Sequence, residues 1–311
     1  MGHQFSMISQ SWPPASKFNV EDIPDLSGKI IIVTGANTGI GKETARALLA
    51  HNAKVYIACR SKDKAEQAIK DLKEETGKEA IFLKLDLADL KAIKASVEEF
   101  TSKEKELHVL FNNGGVMIPP IDMITADGYD LQFGTNVLGH WYFTKLLLPT
   151  LLATAKTTPE GKVRIVNTSS SAHLMGSLNF NAFKDGPARK KVGTGSLYAQ
   201  SKYGNIVVAN EFVRRYGDQG IVSTSLNPGN IKTDLQRYAP SIATKLMGWM
   251  LYPAPYGALT QLWAGTSAEG LDLNGKFLIP WARVGPVKPS TGDPKLGRDL
   301  WEWLEEQVKD I

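Results

Sequence analysis

One junction in the chain leaves few folds open. Ile30-Ile31-Ile32-Val33-Thr34, a β-branched run, passes directly into Gly35-Ala36-Asn37-Thr38-Gly39-Ile40-Gly41 and then into the helix-forming Lys42-Glu43-Thr44-Ala45-Arg46-Ala47-Leu48. Glycines at such a turn let the backbone approach a pyrophosphate, whose charge then meets the N–H groups and positive end of the helix. A glycine-rich turn without a ligand is the plainer reading, but strand, turn and helix stand in the order a dinucleotide motif requires. The spacing is Gly-x-x-x-Gly-x-Gly rather than Gly-x-Gly-x-x-Gly, and the Gly-Lys-Ser/Thr ending of a nucleoside triphosphatase loop is missing.

From Lys29 onward, short β-branched runs alternate with longer amphipathic ones. Strands are expected at Ile30–Thr34, Lys54–Cys59, Ala80–Leu85, Val109–Asn112, Val163–Thr168, Val222–Asn227 and Gly275–Ile279. Helices are expected at Gly41–His51, Lys62–Thr76, Leu90–Lys103, Tyr129–Ala155, Ser196–Tyr216 and Tyr256–Ala264. Such alternation predicts an α/β, Rossmann-type, doubly wound parallel sheet of about seven strands with helices on both faces, ligands sitting at the carboxyl ends of the strands. No linker divides it, so one dinucleotide-binding domain is expected over 26–285. It carries an insertion at 173–195 and a lid at 230–255, with a non-catalytic leader at 1–25 before it and an extension ending in a helix at 286–311 after it.

Composition narrows the function. Hydrophobic content of 42% is ample for a buried core, and a net charge of +4 gives no basic field for nucleic acid. The single Cys59 excludes an internal disulfide and suits a reducing compartment. Residues 1–16 lack the basic start and apolar core of a signal peptide, and no uncharged apolar run approaches the roughly 18 residues of a membrane span. A cytoplasmic enzyme is expected. His3, His51, His108, His140 and His173 are scattered without metal-ligand spacing, so no metal is expected, and the Gly-x-Ser-x-Gly elbow of a serine hydrolase is missing. Asn167-Thr168-Ser169 is a glycosylation sequon in form only, since it ends an apolar strand.

About 20 residues past the glycine turn, an NAD site would carry an acid for the ribose 2′-hydroxyl; the second strand here ends Ala58-Cys59-Arg60-Ser61-Lys62 instead. A cation suits a 2′-phosphate, so Arg60, helped by Lys62, Lys64 or Asn37, argues for NADP(H). The alternative is a solvated basic turn. The third strand ends Leu85-Asp86-Leu87, which places Asp86 where an adenine amino group could be met, or where Asp caps a helix. Further on, Tyr198 and Lys202 stand four residues apart in a helical run and share a face. A phenol beside an ammonium is a proton donor whose ionisation the charge assists. With 9 Tyr in a Lys-rich chain the pair by itself is weak.

Together these residues resemble the short-chain dehydrogenase/reductase superfamily. Thr34-Gly35-x-x-x-Gly39-x-Gly41, Asn112-Asn113-Gly114-Gly115, Asn136, Ser170, Tyr198-x-x-x-Lys202 and Asn227-Pro228-Gly229 follow that family's order from about Leu26 to Trp281. Thr-Gly-Ala-Asn-Thr-Gly-Ile-Gly-Lys-Glu-Thr-Ala, Ala-Cys-Arg and Thr-Asn-Val-Leu-Gly-His are similar to the retinol-dehydrogenase-like and WW-domain-oxidoreductase-like branch. The resemblance implies that Tyr198 protonates a carbonyl oxygen while hydride arrives from a nicotinamide, and that Lys202 holds the nicotinamide ribose and depresses the Tyr198 pKa. It further implies that Ser170, rather than Ser169 or Ser171, polarises the substrate oxygen, and that Asn136 holds a water joined to the lysine. Cofactor contacts implied are Gly35, Asn37, Thr38, Gly39, Ile40, Arg60, Asp86, Leu87, Asn113, Gly115, Tyr198, Lys202, Pro228, Gly229, Ile231 and Thr233. Two features depart from the family: Asn-Asn-Ala-Gly reads Asn-Asn-Gly-Gly, and the interval between Ser170 and Tyr198 is long.

The substrate side is expected to be apolar. Tyr238 and Met247 lie in the lid among Ile242, Leu246, Trp249, Met250, Leu251 and Tyr252, and the opposite wall is expected from Leu174, Met175, Leu178, Phe180 and Phe183. A Met-rich apolar lid favours a bulky lipophilic alcohol, ketone or aldehyde of terpenoid, retinoid or aromatic polyketide type. The same residues could cover a sheet edge or touch a membrane peripherally. Two further readings stay open: a catalytically idle NADP(H)-binding scaffold with a protein partner, and a C=C or quinone reductase. The family's dimer faces are the helices of Asn136 and Tyr198, so a monomer or a homodimer is expected.

Overall fold

The fold is that of a computed structural model, which describes residues 9–236, 238 and 251–311. In chain order the sheet strands are β1 (Ile30–Thr34), β2 (Lys54–Cys59), β3 (Ile81–Lys84), β4 (Val109–Asn112), β5 (Val163–Thr168), β6 (Ile221–Leu226), β7 (Phe277–Ile279) and β8 (Arg283–Val284). They form an 8-stranded sheet in the order β3-β2-β1-β4-β5-β6-β7-β8, parallel from β3 to β7, with β8 antiparallel at the edge. The count exceeds the expected one because β8 spans only two residues, too few to carry a periodicity.

The helices are α1 (Gly39–Ala50), α2 (Lys62–Thr76), α3 (Leu90–Lys103), α4, α5 (Thr194–Tyr216), α6 (Ala254–Thr266) and α7 (Pro294–Val308). α4 is composite: Leu131–Phe133, a π-helical turn Gly134–Gly139, then His140–Thr157. Both faces of the sheet are covered. Ile31 and Val33 point into one core with α1, α2 and α6, while Ile32 points into the other with α3, α4, α5 and α7. This is the two-residue alternation of a strand expressed on a sheet buried on both sides.

Strand order reverses between β1 and β4, which lie side by side, and their carboxyl ends open the crevice where such folds take ligands. Residues 9–25, expected as a leader, are packed onto the domain: Phe18 and Ile23 are buried in the core under α1. Asn167 is buried and donates to the Thr224 carbonyl at 3.0 Å, which leaves no room for a glycan at the sequon.

Candidate active site

The two loops at the reversal are joined through Thr34. Its Oγ1 accepts from the N–H groups of Asn113 and Gly114, each at 2.9 Å, while Asn113 Nδ2 donates to the Thr34 carbonyl at 2.9 Å. Gly35 has φ +67°, and a Cβ there would lie 2.8 Å from Gly114 Cα, so the first loop tolerates no side chain at the crossing. The Asn-Asn-Gly-Gly departure therefore leaves the turn anchored. Thr38 precedes α1 without capping it; its hydroxyl donates instead to Asp234 at 3.0 Å. The first N–H groups of α1 thus lack a side-chain cap, and with Gly35 and Gly39 beside them they form a cradle that fits a pyrophosphate. At the end of β2, Arg60 is 77% exposed and 4.0 Å from Asp86, a separation and exposure at which the pair constrains little. Asp86 Oδ1 accepts from the Ala88 N–H at 3.0 Å, and the Leu87 side chain borders Gly114.

The π-helical turn places Asn136 toward the crevice. Its Oδ1 accepts from the Val116 N–H at 2.9 Å, and its Nδ2 donates to the Val116 carbonyl and to Ser201 Oγ, both at 3.0 Å. The side chain thus fastens the segment after β4, including Gly115, to the face of α5; a Cβ on Gly115 would lie 2.9 Å from Asn136 Oδ1 and 3.8 Å from Lys202 Nζ. Such π turns recur at functional sites because the extra residue re-aims the side chains around it.

On α5, Lys202 Nζ donates to the Thr168 carbonyl at 3.0 Å and lies 5.7 Å from the centre of the Tyr198 ring. The three consecutive serines divide their work. Ser169 Oγ donates to the Lys202 carbonyl at 2.6 Å, whereas Ser170 stands beside the Tyr198 phenol, its Oγ accepting from the Ala172 N–H at 3.2 Å. Ser171 opens the short 3-10 helix Ser171–Met175. Both members of the Tyr–Lys pair are buried, and burial dominates their ionisation: it pushes Tyr198 up to about 12, with Ser170 pulling the other way, and draws Lys202 down to about 8. Burial thus opposes the depression of the Tyr198 pKa expected from Lys202.

The loop after β6 closes the crevice. Gly229, at φ +90°, donates its N–H to Asn227 Oδ1 at 3.1 Å, following Pro228. The Thr233 methyl packs on Gly39, where a Cβ would approach it to 3.1 Å, so the start of the lid touches the phosphate turn. Ile231 is buried and bridges to Tyr252, whose N–H donates to the Asn230 carbonyl at 2.8 Å and whose carbonyl accepts from the Lys232 N–H at 2.9 Å. The two ends of the expected lid are thereby clasped. Tyr238 is half-buried; Met247 and the rest of 239–250 lie outside the described residues.

The short chain dehydrogenase family matches residues 29–184. A short-chain dehydrogenase/reductase of Armillaria gallica is 62% identical over 310 residues, covering 100% of both chains. Retinol dehydrogenase 12 of Homo sapiens is 38% identical over 305 residues, covering 96% of this chain and 93% of that one. The chain belongs to the short-chain dehydrogenase family. Its branch is the retinol-dehydrogenase-like one. Among solved structures, that of an uncharacterized protein from Mycobacterium Paratuberculosis is similar at a TM-score of 0.72 and 29% identity, covering 94% of this chain and 98% of that one.

In this short-chain dehydrogenase the insertion divides differently from expectation. Phe183 is fully buried and stacks on Phe133 with centroids 3.7 Å apart, Phe180 packs on Phe183, and Leu178 packs against the same core. These three hold the insertion to α4 and α7 instead of lining a pocket. Leu174 is half-buried and Met175 is 75% exposed, so these two remain for a substrate wall. Sequence reasoning passed over Gln10 and took His140 as a structural residue without naming its partners. His140 Nε2 meets Thr34 Oγ1 at 2.9 Å and its Nδ1 meets the Asn136 carbonyl at 3.2 Å, so it ties the phosphate loop to the helix of Asn136. Its place in Thr-Asn-Val-Leu-Gly-His, four residues after Asn136, was the available signal.

Proposed function

We propose that this short-chain dehydrogenase transfers a hydride between NADP(H) and a lipophilic alcohol, ketone or aldehyde, with Tyr198 as the proton-transferring group. The observation that carries the reading is the buried phenol of Tyr198, with Ser170 beside it and the Lys202 ammonium one helical turn away. When bound, the dinucleotide supplies the hydride in reduction and takes it back in oxidation. A phenol pushed up to about 12 keeps its proton at neutral pH and so stands ready to donate it to a carbonyl oxygen. Ser170 orients that oxygen, and the nearby cation stabilises the phenolate left behind. Asn136 holds the Val116 segment and Ser201 in place behind the pair.

Arg60 supports the NADP(H) preference, since it is exposed at the end of β2 where an NAD enzyme carries an acid. Support for a lipophilic substrate comes from Ile118 and Met175, exposed apolar residues on the segments that leave the neighbouring strands β4 and β5. Tyr198→Phe tests the central assignment: turnover falls by about 100-fold or more while NADPH affinity stays within a factor of about two. Unchanged turnover in a panel of lipophilic aldehydes, followed by NADPH absorbance, would remove the assignment. Arg60→Ala is expected to weaken NADPH about tenfold and NADH hardly at all.

A further inference from the structure

The chain upstream of β1 reaches into the loop that follows β6. Asn227 Nδ2 donates to Gln10 Oε1 at 2.8 Å across 217 residues of sequence, and both side chains are buried, Gln10 at 2% exposure. The other end of the same amide is also engaged, because Asn227 Oδ1 accepts the Gly229 N–H at 3.1 Å. With both ends occupied, the orientation of Asn227 is fixed, and through it that of Pro228-Gly229. Ser9 is gripped from the opposite side: Arg283 donates from Nη1 to Ser9 Oγ at 3.1 Å and from Nη2 to the Ser9 carbonyl at 3.0 Å. Arg283 Nε donates to the Pro280 carbonyl at 2.9 Å, and the neighbouring Trp281 ring covers Gly229, where a Cβ would lie 2.9 Å from it. Two consecutive N-terminal residues therefore brace the loop on both flanks.

We propose that Gln10 is a positioning residue for the nicotinamide side of the site. It holds the 227–229 loop through Asn227, so that the segment expected as a non-catalytic leader is a working part of the active site. The proposal rests on the cofactor reading above, and its physical basis is the cost of an orphaned amide. Without the Gln10 acceptor, the buried Asn227 Nδ2 loses its partner or turns to find another, which releases the Gly229 N–H. The adenine-side residues Arg60 and Asp86, by contrast, stand at the ends of β2 and β3, separated from β6 by β1, β4 and β5.

Binding of NADPH, read by the fluorescence of its nicotinamide, and binding of 2′,5′-ADP, which has no nicotinamide, separate the two ends of the site. Gln10→Ala in the full chain is expected to weaken NADPH about tenfold while leaving 2′,5′-ADP within about twofold, and Gln10→Glu, which keeps an acceptor, recovers most of the loss. Arg60→Ala is expected to weaken both ligands. An unchanged NADPH affinity in Gln10→Ala, or an equal loss of both ligands, overturns the proposal. If Arg60→Ala weakens neither ligand, the cofactor reading itself falls and takes the proposal with it.

Discussion

Lys202 is buried with its ammonium on the Thr168 carbonyl, and burial draws its pKa from an ordinary 10.5 to about 8. Below pH 8 the folded protein carries the full cost of a buried charge. Between pH 8 and 10.5 the unfolded chain holds a proton that the folded one has released, so stability rises with pH across that window. Tyr198 acts in the opposite sense higher up: its raised pKa contributes stability that is complete below pH 10 and lost as pH climbs toward 12. Lys202→Met should accordingly be more stable than the wild type in urea at pH 7, by on the order of 3 kcal/mol, with the advantage shrinking toward pH 10. On the proposed mechanism the same titration would govern the rate. Loss of the ammonium removes the charge that steadies the phenolate, so kcat/KM for carbonyl reduction should decline above about pH 8, and a flat profile to pH 10 would contradict this. His140 differs in kind. Burial pushes its pKa down to about 3, so it is neutral around pH 7 and adds no inflection there. His140→Phe removes one of several partners of the buried Thr34 hydroxyl, which keeps those of Asn113 and Gly114, and should cost about 1 kcal/mol in denaturant melts.

At the scale of elements, strands and helices were read within a residue or two, because β-branched runs and helical spacing are local signals that the core then respects. The misses share a cause. The aromatic side chains of the insertion look like a pocket wall in sequence, yet Phe180 and Phe183 find a core on α4 and α7 that no local pattern reveals. The anchor of that insertion is ionic. Arg189 is 1% exposed; it donates to Asp185 Oδ1 from Nε at 3.1 Å and Nη2 at 2.8 Å, and reaches Asp130 Oδ2 at 3.4 Å. Burial raises the Asp130 pKa against the pull of Arg189, while the carboxylate caps the start of α4 by accepting from the Gln132 and Phe133 N–H groups. Arg189→Met strands that carboxylate and should cost about 3–5 kcal/mol, whereas adding Asp130→Asn to it should recover part of the loss. Chemical denaturation of the single and double variants reads this, and equal destabilisation in both would show that the charge is not the issue.

For the molecule as a whole, the C-terminal helix decides which surfaces are left. Trp301 meets Trp141 of α4 and Phe212 of α5 edge-on, with centroids 5.4 and 5.1 Å apart, and Leu300 and Leu304 are fully buried beside it. α7 thus covers the two helices through which a homodimer was one expectation. Removing residues 294–311 should expose this aromatic face and cause association in light scattering where the intact chain stays dispersed. Trp301→Ala should cost about 3–5 kcal/mol in its own right. Among the described residues no helix is long and apolar enough to cross a membrane.

Local patterns in the sequence sufficed for the doubly wound sheet, and the resemblance to the short-chain dehydrogenases supplied the proposed Asn136, Ser170, Tyr198, Lys202 set. Each of these depends on residue types at short spacings, or on strand ends that the topology must bring together. Tertiary structure alone decided that Ser9 and Gln10 reach the loop after β6, that His140 joins the phosphate loop to α4, that the insertion's aromatics belong to the core, and that burial raises the Tyr198 pKa. All four depend on contacts between distant segments and on the loss of water around them. Neither is written in the order of residues along the chain.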